Sequence, residues 1–151
     1  MSGYARAGCR LARLMWSAFQ CGTYARLSDD ENEQTRLFLV GIKAGREFLD
    51  AVNKGQITDE AKRNVGPAVV MDVLGFTSRP IGEDMLKNVG GPSADFVLGR
   101  IVQNATSTAY NMAKVAEAGT TGYVPGGFAD VARKKLNAQT KYSVGNCVLV
   151  K

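Results

Sequence analysis

The chain has 151 residues, of which 45% are hydrophobic and 22% charged, proportions typical of one soluble globular domain with its own core. It contains no histidine, which excludes Ser-His and Cys-His nucleophile pairs and the commonest metal ligand. Its three cysteines include no close pair that would suit zinc, and no apolar run approaches the roughly 18 residues that cross a bilayer.

The formal net charge of +5 is concentrated at the N-terminus. The first 28 residues contain four arginines and no acid. The rest of the chain contains the other 15 of the 19 bases and all 14 acids, so it is nearly neutral. The near-neutral remainder argues against a nucleic-acid-binding surface over the whole protein.

An amphipathic helix is predicted over residues 4–19. Its apolar stripe follows the helical period and consists of Leu11, Leu14, Met15, Ala18 and Phe19. Arg6, Arg10 and Arg13 share another face. Three interpretations are open. The segment could be a core helix with solvated arginines, or a targeting segment that is cleaved or that precedes the true start of the protein. It could also contact a nucleic acid or an anionic membrane through the three arginines.

A capping box is predicted at residues 28–31, where the sequence S-D-D-E would begin a long helix. We expect the Ser28 hydroxyl to accept a hydrogen bond from the Glu31 backbone N–H. The helix should run to about Lys54, with Gly55 as its stop.

Two glycines, Gly41 and Gly45, lie one turn apart inside this predicted helix. Each costs about 1 kcal/mol relative to alanine in a helix interior. Their presence predicts the close approach of a neighbouring helix or a bulky ring on that face.

The middle of the chain predicts short helices over 59–64 and 83–88 and a buried helix over the apolar run 68–76. A second long helix is predicted from Ser93, its N-cap, to Gly119, with a face of small residues that suits the glycines of the first.

The C-terminal third begins with a glycine-rich loop at 119–127 that lacks the G-K-[ST] ending of a phosphate-binding loop. A short basic helix is predicted over 128–136. The apolar run 147–150 predicts a short strand or an extended segment across the core.

The cysteines leave two alternatives. Either Cys9, Cys21 and Cys147 are all reduced thiols, or Cys21 and Cys147 form a disulfide that joins the two ends of the chain. In the chain-entropy model such a bridge would stabilise the fold by about 4–5 kcal/mol.

Several motifs together resemble small exported bacterial proteins of unknown function. They are Cys21 with Tyr24, the acidic helix start, Gly41 and Gly45 with Phe48, the sequence GPSADFVLGRI at 91–101 and the ending NCVLV at 146–150. A looser similarity is to periplasmic helical immunity proteins that neutralise cell-wall-degrading toxins. The resemblance implies a helical, exported or periplasmic protein with a cleaved signal and a Cys21–Cys147 bridge; this chain departs from it in lacking a clear signal sequence.

The sequence therefore predicts an all-α fold, a small bundle with two long antiparallel helices and shorter flanking helices. Residues 1–27 would form a basic segment for targeting or docking, and residues 28–151 the helical domain. No catalytic residue, metal site or cofactor is predicted, so the expected function is non-enzymatic binding of another protein, as an inhibitor, an immunity-type factor or an accessory subunit. The alternative is binding of a nucleic acid or an anionic membrane through Arg6, Arg10 and Arg13.

Overall fold

The computed structural model describes residues 3–54, 56, 94–115 and 128–151. Within these ranges lie the helices α1 (Gly3–Leu27), α2 (Glu31–Asn53), α3 (Ala94–Val115) and α4 (Phe128–Val144), and a 3-10 turn at Cys147–Leu149. The predicted all-α fold is confirmed. The helices predicted over 59–64, 68–76 and 83–88, the glycine-rich loop, and the end signals at Gly55, Ser93 and Gly119 lie outside the described residues.

The turn between α1 and α2 is not the predicted capping box. Asp30 caps α2, because its side chain accepts a hydrogen bond of 3.0 Å from the Glu33 backbone N–H. The Ser28 hydroxyl instead donates to the Tyr24 carbonyl oxygen at 2.8 Å. The prediction was wrong because α1 continues almost to Ser28, and the positive φ of Asp29 (63°) then reverses the chain.

The two helices of this hairpin approach closely where the sequence places its glycines. Gly41 of α2 lies against the Phe19 ring, and Gly45 lies against Met15 of α1 and Leu98 of α3. A Cβ on Gly41 would sit 2.5 Å from a Phe19 ring carbon. The ring that meets Gly41 thus comes from α1, the neighbour in the hairpin, rather than from the second long helix.

α1 is the central helix of the bundle, and it contacts α2, α3, α4 and the C-terminal turn. Four of its side chains are fully buried, namely Ala12, Met15, Ala18 and Phe19. This packing matches the core-helix interpretation of the segment. α3 covers the hairpin with a face of small residues, and its Ala105, Ala109 and Ala113 are buried.

The C-terminal region differs from the prediction in two ways. α4 continues to Val144 instead of ending near residue 136. The run 147–150 is not a strand: Cys147–Leu149 form a 3-10 turn, entered through Asn146 in the left-handed region with φ 51°. Cys147 and Val150 are buried against the bundle, while the two residues between them, Val148 and Leu149, are exposed. A spacing of three residues fits a 3-10 turn, whereas a strand would bury alternate residues. None of the described helices is long and apolar enough to cross a membrane.

Candidate functional site

A groove of about 580 Å³ lies between α1 and α2. Its apolar wall consists of Leu11, Leu14, Val40 and Ala44. Its cationic rim consists of Arg10, Lys43 and Lys151, and Glu47 is the single carboxylate among the lining residues. Three cations against one anion leave this apolar groove with a net positive charge.

The groove lies between one face of α1 and one face of α2. On α2 the lining residues are at positions 40, 43, 44 and 47, which are three or four residues apart and therefore share one face of the helix. On α1 they are 10, 11 and 14. Ala44 is buried and small, so it leaves room between the longer residues around it. Leu11 and Leu14, which the sequence stripe assigned to the core, are only half-buried here.

The C-terminal tail reaches the groove through Lys151. The guanidinium of Arg36 donates a hydrogen bond of 2.8 Å from Nη1 to the Val150 carbonyl oxygen, and the next residue, Lys151, reaches the rim. Earlier in the tail, the sulfur atom of Cys147 lies at disulfide-bonding distance from that of Cys21 on α1, and the two Cα atoms are 5.5 Å apart. This geometry matches the bridged alternative for the cysteines and attaches the tail to α1.

A polar cluster of Glu33, Arg36 and Tyr142 holds α4 and the tail on α2. The Glu33 carboxylate accepts two hydrogen bonds of 2.7 Å from Arg36 and one of 2.5 Å from the Tyr142 hydroxyl. The bonds from Arg36, and then the bond from Tyr142, hold the pKa of Glu33 at about 2 against the opposing effect of burial. Burial, and then the carboxylate, raise the pKa of Tyr142 to about 12.

These pKa values point to structure rather than catalysis. A general acid or base works best when its pKa is near the working pH, whereas Glu33 and Tyr142 are displaced in opposite directions away from neutrality. Across the part of the chain that the structure describes, no group of three potential ligands is placed to hold a metal ion.

Glu33→Gln is expected to lower the free energy of unfolding by about 1–2 kcal/mol at pH 7, after allowance for solvent screening at a carboxylate that is 20% exposed. Because the folded-state pKa of Glu33 is depressed, its contribution is complete above the ordinary pKa of 4.5 and is lost as the pH falls towards about 2. Urea titrations of both proteins between pH 7 and pH 2 measure the difference.

Tyr142→Phe is the matched variant for this titration, because it removes only the weaker of the two partners of Glu33. It should show the same pH dependence with a smaller amplitude. A stability difference between wild type and Glu33→Gln that stays constant down to pH 2 would contradict the assignment.

The structure describes two of the three arginines predicted as a contact surface. Arg10 is on the groove rim, Arg13 is exposed on α1 and is not among the lining residues, and the side chain of Arg6 lies outside the described residues. Sequence reasoning missed Lys43 and Lys151, because only the pairing of α1 with α2 and the path of the tail bring them beside Arg10.

Comparisons with models of protein families, with curated proteins and with solved structures find no match to this chain. The resemblance to exported helical proteins, and the location that it implies, stay predictions.

Proposed function

We propose that this protein acts without catalysis, by binding an acidic amphipathic segment of another protein in the α1–α2 groove. The observation that carries the proposal is the combination of the apolar wall with the cationic rim. Apolar side chains of such a segment would pack on Leu14 and Val40, and its carboxylates would face Arg10 and Lys43.

The length of the groove supports a helical occupant. Its lining on α2 runs from Val40 to Glu47, seven residue steps that cover about 10 Å of helix or two turns. Helices that dock in grooves use anchors at i, i+3 or i+4, and i+7, which cover the same distance. An inhibitor, an immunity-type factor or an accessory subunit would all use a site of this kind.

The alternative function, binding of a nucleic acid or an anionic membrane through the arginines of α1, has less support. Nucleic-acid phosphates need cations but no apolar wall, and an anionic bilayer takes up protruding apolar side chains rather than ones that line a recess. In addition, Glu47 lies among the residues that line the groove around Arg10 and would repel a phosphate.

The test uses two synthetic helical peptides with leucine anchors at i, i+3, i+4 and i+7, one flanked by glutamates and the other by lysines. Fluorescence anisotropy should show binding of the acidic peptide and little binding of the basic one. Arg10→Glu is expected to weaken the acidic peptide by at least tenfold, because the charge of one rim residue is reversed.

Arg13→Glu is the matched control, since it makes the same change on the same helix at an exposed position outside the groove. It should weaken binding less than Arg10→Glu does, because Arg13 is not among the residues that line the groove and its charge is exposed to solvent, where salt screens it. Equal effects of the two substitutions, or equal binding of the two peptides, would overturn the proposal. Equal effects on an oligonucleotide with steep salt dependence would favour the alternative.

A further inference from the structure

The end of the chain is rich in bases. Residues 128–151 contain five bases and a single acid, Asp130. Lys151 belongs to the groove rim, and the Lys135 ammonium pairs with the Asp29 carboxylate at 2.8 Å. The other three bases, Arg133, Lys134 and Lys141, give α4 itself a local excess of positive charge.

The same segment exposes large apolar side chains. Nine large hydrophobic residues are exposed in the described part of the chain, and five of them belong to this segment. They are Val131, Leu136, Val144, Val148 and Leu149, each between 62% and 74% exposed. Leu136 and Val144 are eight residues apart, two turns along one face of α4, and Val148 and Leu149 continue just beyond the helix.

α4 is firmly attached to the bundle. Ala138 is fully buried, and the Asn137 side chain donates a hydrogen bond of 3.0 Å to the Ala113 carbonyl oxygen. Cys147 is also fully buried, at disulfide-bonding distance from Cys21. These contacts hold α4 in place and leave Leu136 and Val144 exposed to solvent.

Cations also extend this surface on to α3. The ammonium groups of Lys114 and Lys134 lie 4.7 Å and 5.9 Å from the centre of the Tyr110 ring. Two like charges from different helices thus converge on one half-exposed aromatic ring.

We propose that the outer face of α4, together with the turn that follows it, binds the surface of an anionic lipid bilayer. Exposed aliphatic side chains between lysines are the features of a helix that lies in the membrane interface, where the aliphatic groups enter the acyl boundary and the cations meet lipid phosphates. A nucleic acid fits less well, because its backbone gives leucine and valine nothing to contact. The surface is independent of the α1–α2 groove.

Co-sedimentation of the full chain with large unilamellar vesicles tests this surface. Vesicles of phosphatidylcholine with 30% phosphatidylglycerol should bind the protein, and pure phosphatidylcholine should bind it at least tenfold more weakly. Arg133→Gln with Lys141→Gln, at positions one turn before Leu136 and Val144, should weaken binding by about twenty-fivefold, since each cation near an anionic surface contributes about fivefold. Leu136→Ser with Val144→Ser should weaken it by about tenfold.

Leu39→Ser is the matched control, because Leu39 on α2 is 63% exposed and lies away from this surface. It should leave vesicle binding unchanged, as should Lys43→Gln in the groove. All the substitutions are at surface positions, and circular dichroism verifies that each variant is folded.

Three outcomes would overturn the proposal: absence of binding to anionic vesicles, equal binding to both kinds of vesicle, and equal losses from Leu39→Ser and the serine double variant. Tight binding of a 20-nucleotide strand that depends on Arg133 and Lys141 but is unchanged by the serine substitutions would assign the surface to nucleic acid instead. A failure of the groove peptides to bind has no bearing on this result.

Discussion

Replacing both cysteines of the bridge, Cys21→Ala with Cys147→Ala, is expected to lower the free energy of unfolding by about 4 kcal/mol. The two cysteines are 126 residues apart, so a bridge between them removes a large share of the conformational freedom of the unfolded chain. Domains of this size are stable by only about 5–15 kcal/mol, so the variant should be close to unfolding at physiological temperature. Urea titration measures the change.

Cys9→Ala is the control for this experiment, because Cys9 is also buried but lies outside the bridge. It should cost about 1 kcal/mol, the effect of deleting one small buried group. Alkylation of the unfolded, unreduced wild type followed by intact-mass measurement should label one thiol. Labelling of three thiols would show that the cysteines are reduced and would remove the basis of the prediction.

Loss of the bridge should also alter the groove. Lys151 reaches the cationic rim at the end of a tail that is held by Cys147 and by the hydrogen bond from Arg36 to Val150. The double cysteine variant should therefore bind the acidic peptide several-fold more weakly at temperatures where it is still folded.

Gly41→Ala is expected to destabilise the protein by about 2 kcal/mol. Its new Cβ would lie within 2.9 Å of three ring carbons of Phe19, which is fully buried and cannot move aside. Overpacking of a tight core costs about 1–3 kcal/mol, and the better helix propensity of alanine returns less than 1 kcal/mol of this. Thermal and urea unfolding both report the loss.

Two other glycines provide the comparison. Gly99→Ala, on α3, places its Cβ where no atom lies within 4 Å, so helix propensity alone should act and stabilise the protein by about 0.5–1 kcal/mol. Gly45→Ala should fall between them, because its nearest contacts are the flexible ends of Leu98 and Met15. The same sign of change at Gly41 and Gly99 would show that α1 and α2 are farther apart than described.

The helices could be predicted from the sequence because the signals that produce them are local. The apolar stripe that ends at Phe19 predicts α1, and the acidic start near Glu31 predicts α2, since periodicity and the helix dipole act within a few residues. The paired glycines of α2 likewise indicated a close contact before any partner was known. The all-α class followed from these signals together with the absence of strand partners.

The pairing of those helices was decided only by tertiary structure, because it depends on which buried surfaces meet. Ser28 lost the capping role to Asp30, because α1 continues to Leu27, beyond the helix predicted over residues 4–19. The basic rim joins Arg10 of α1 to Lys43 of α2 and Lys151 of the tail, three residues that no spacing rule connects. Local signals in the sequence account for the helices and their apolar faces. The groove, the position of the C-terminal tail and the exposed face of α4 arise from packing between residues far apart in the chain.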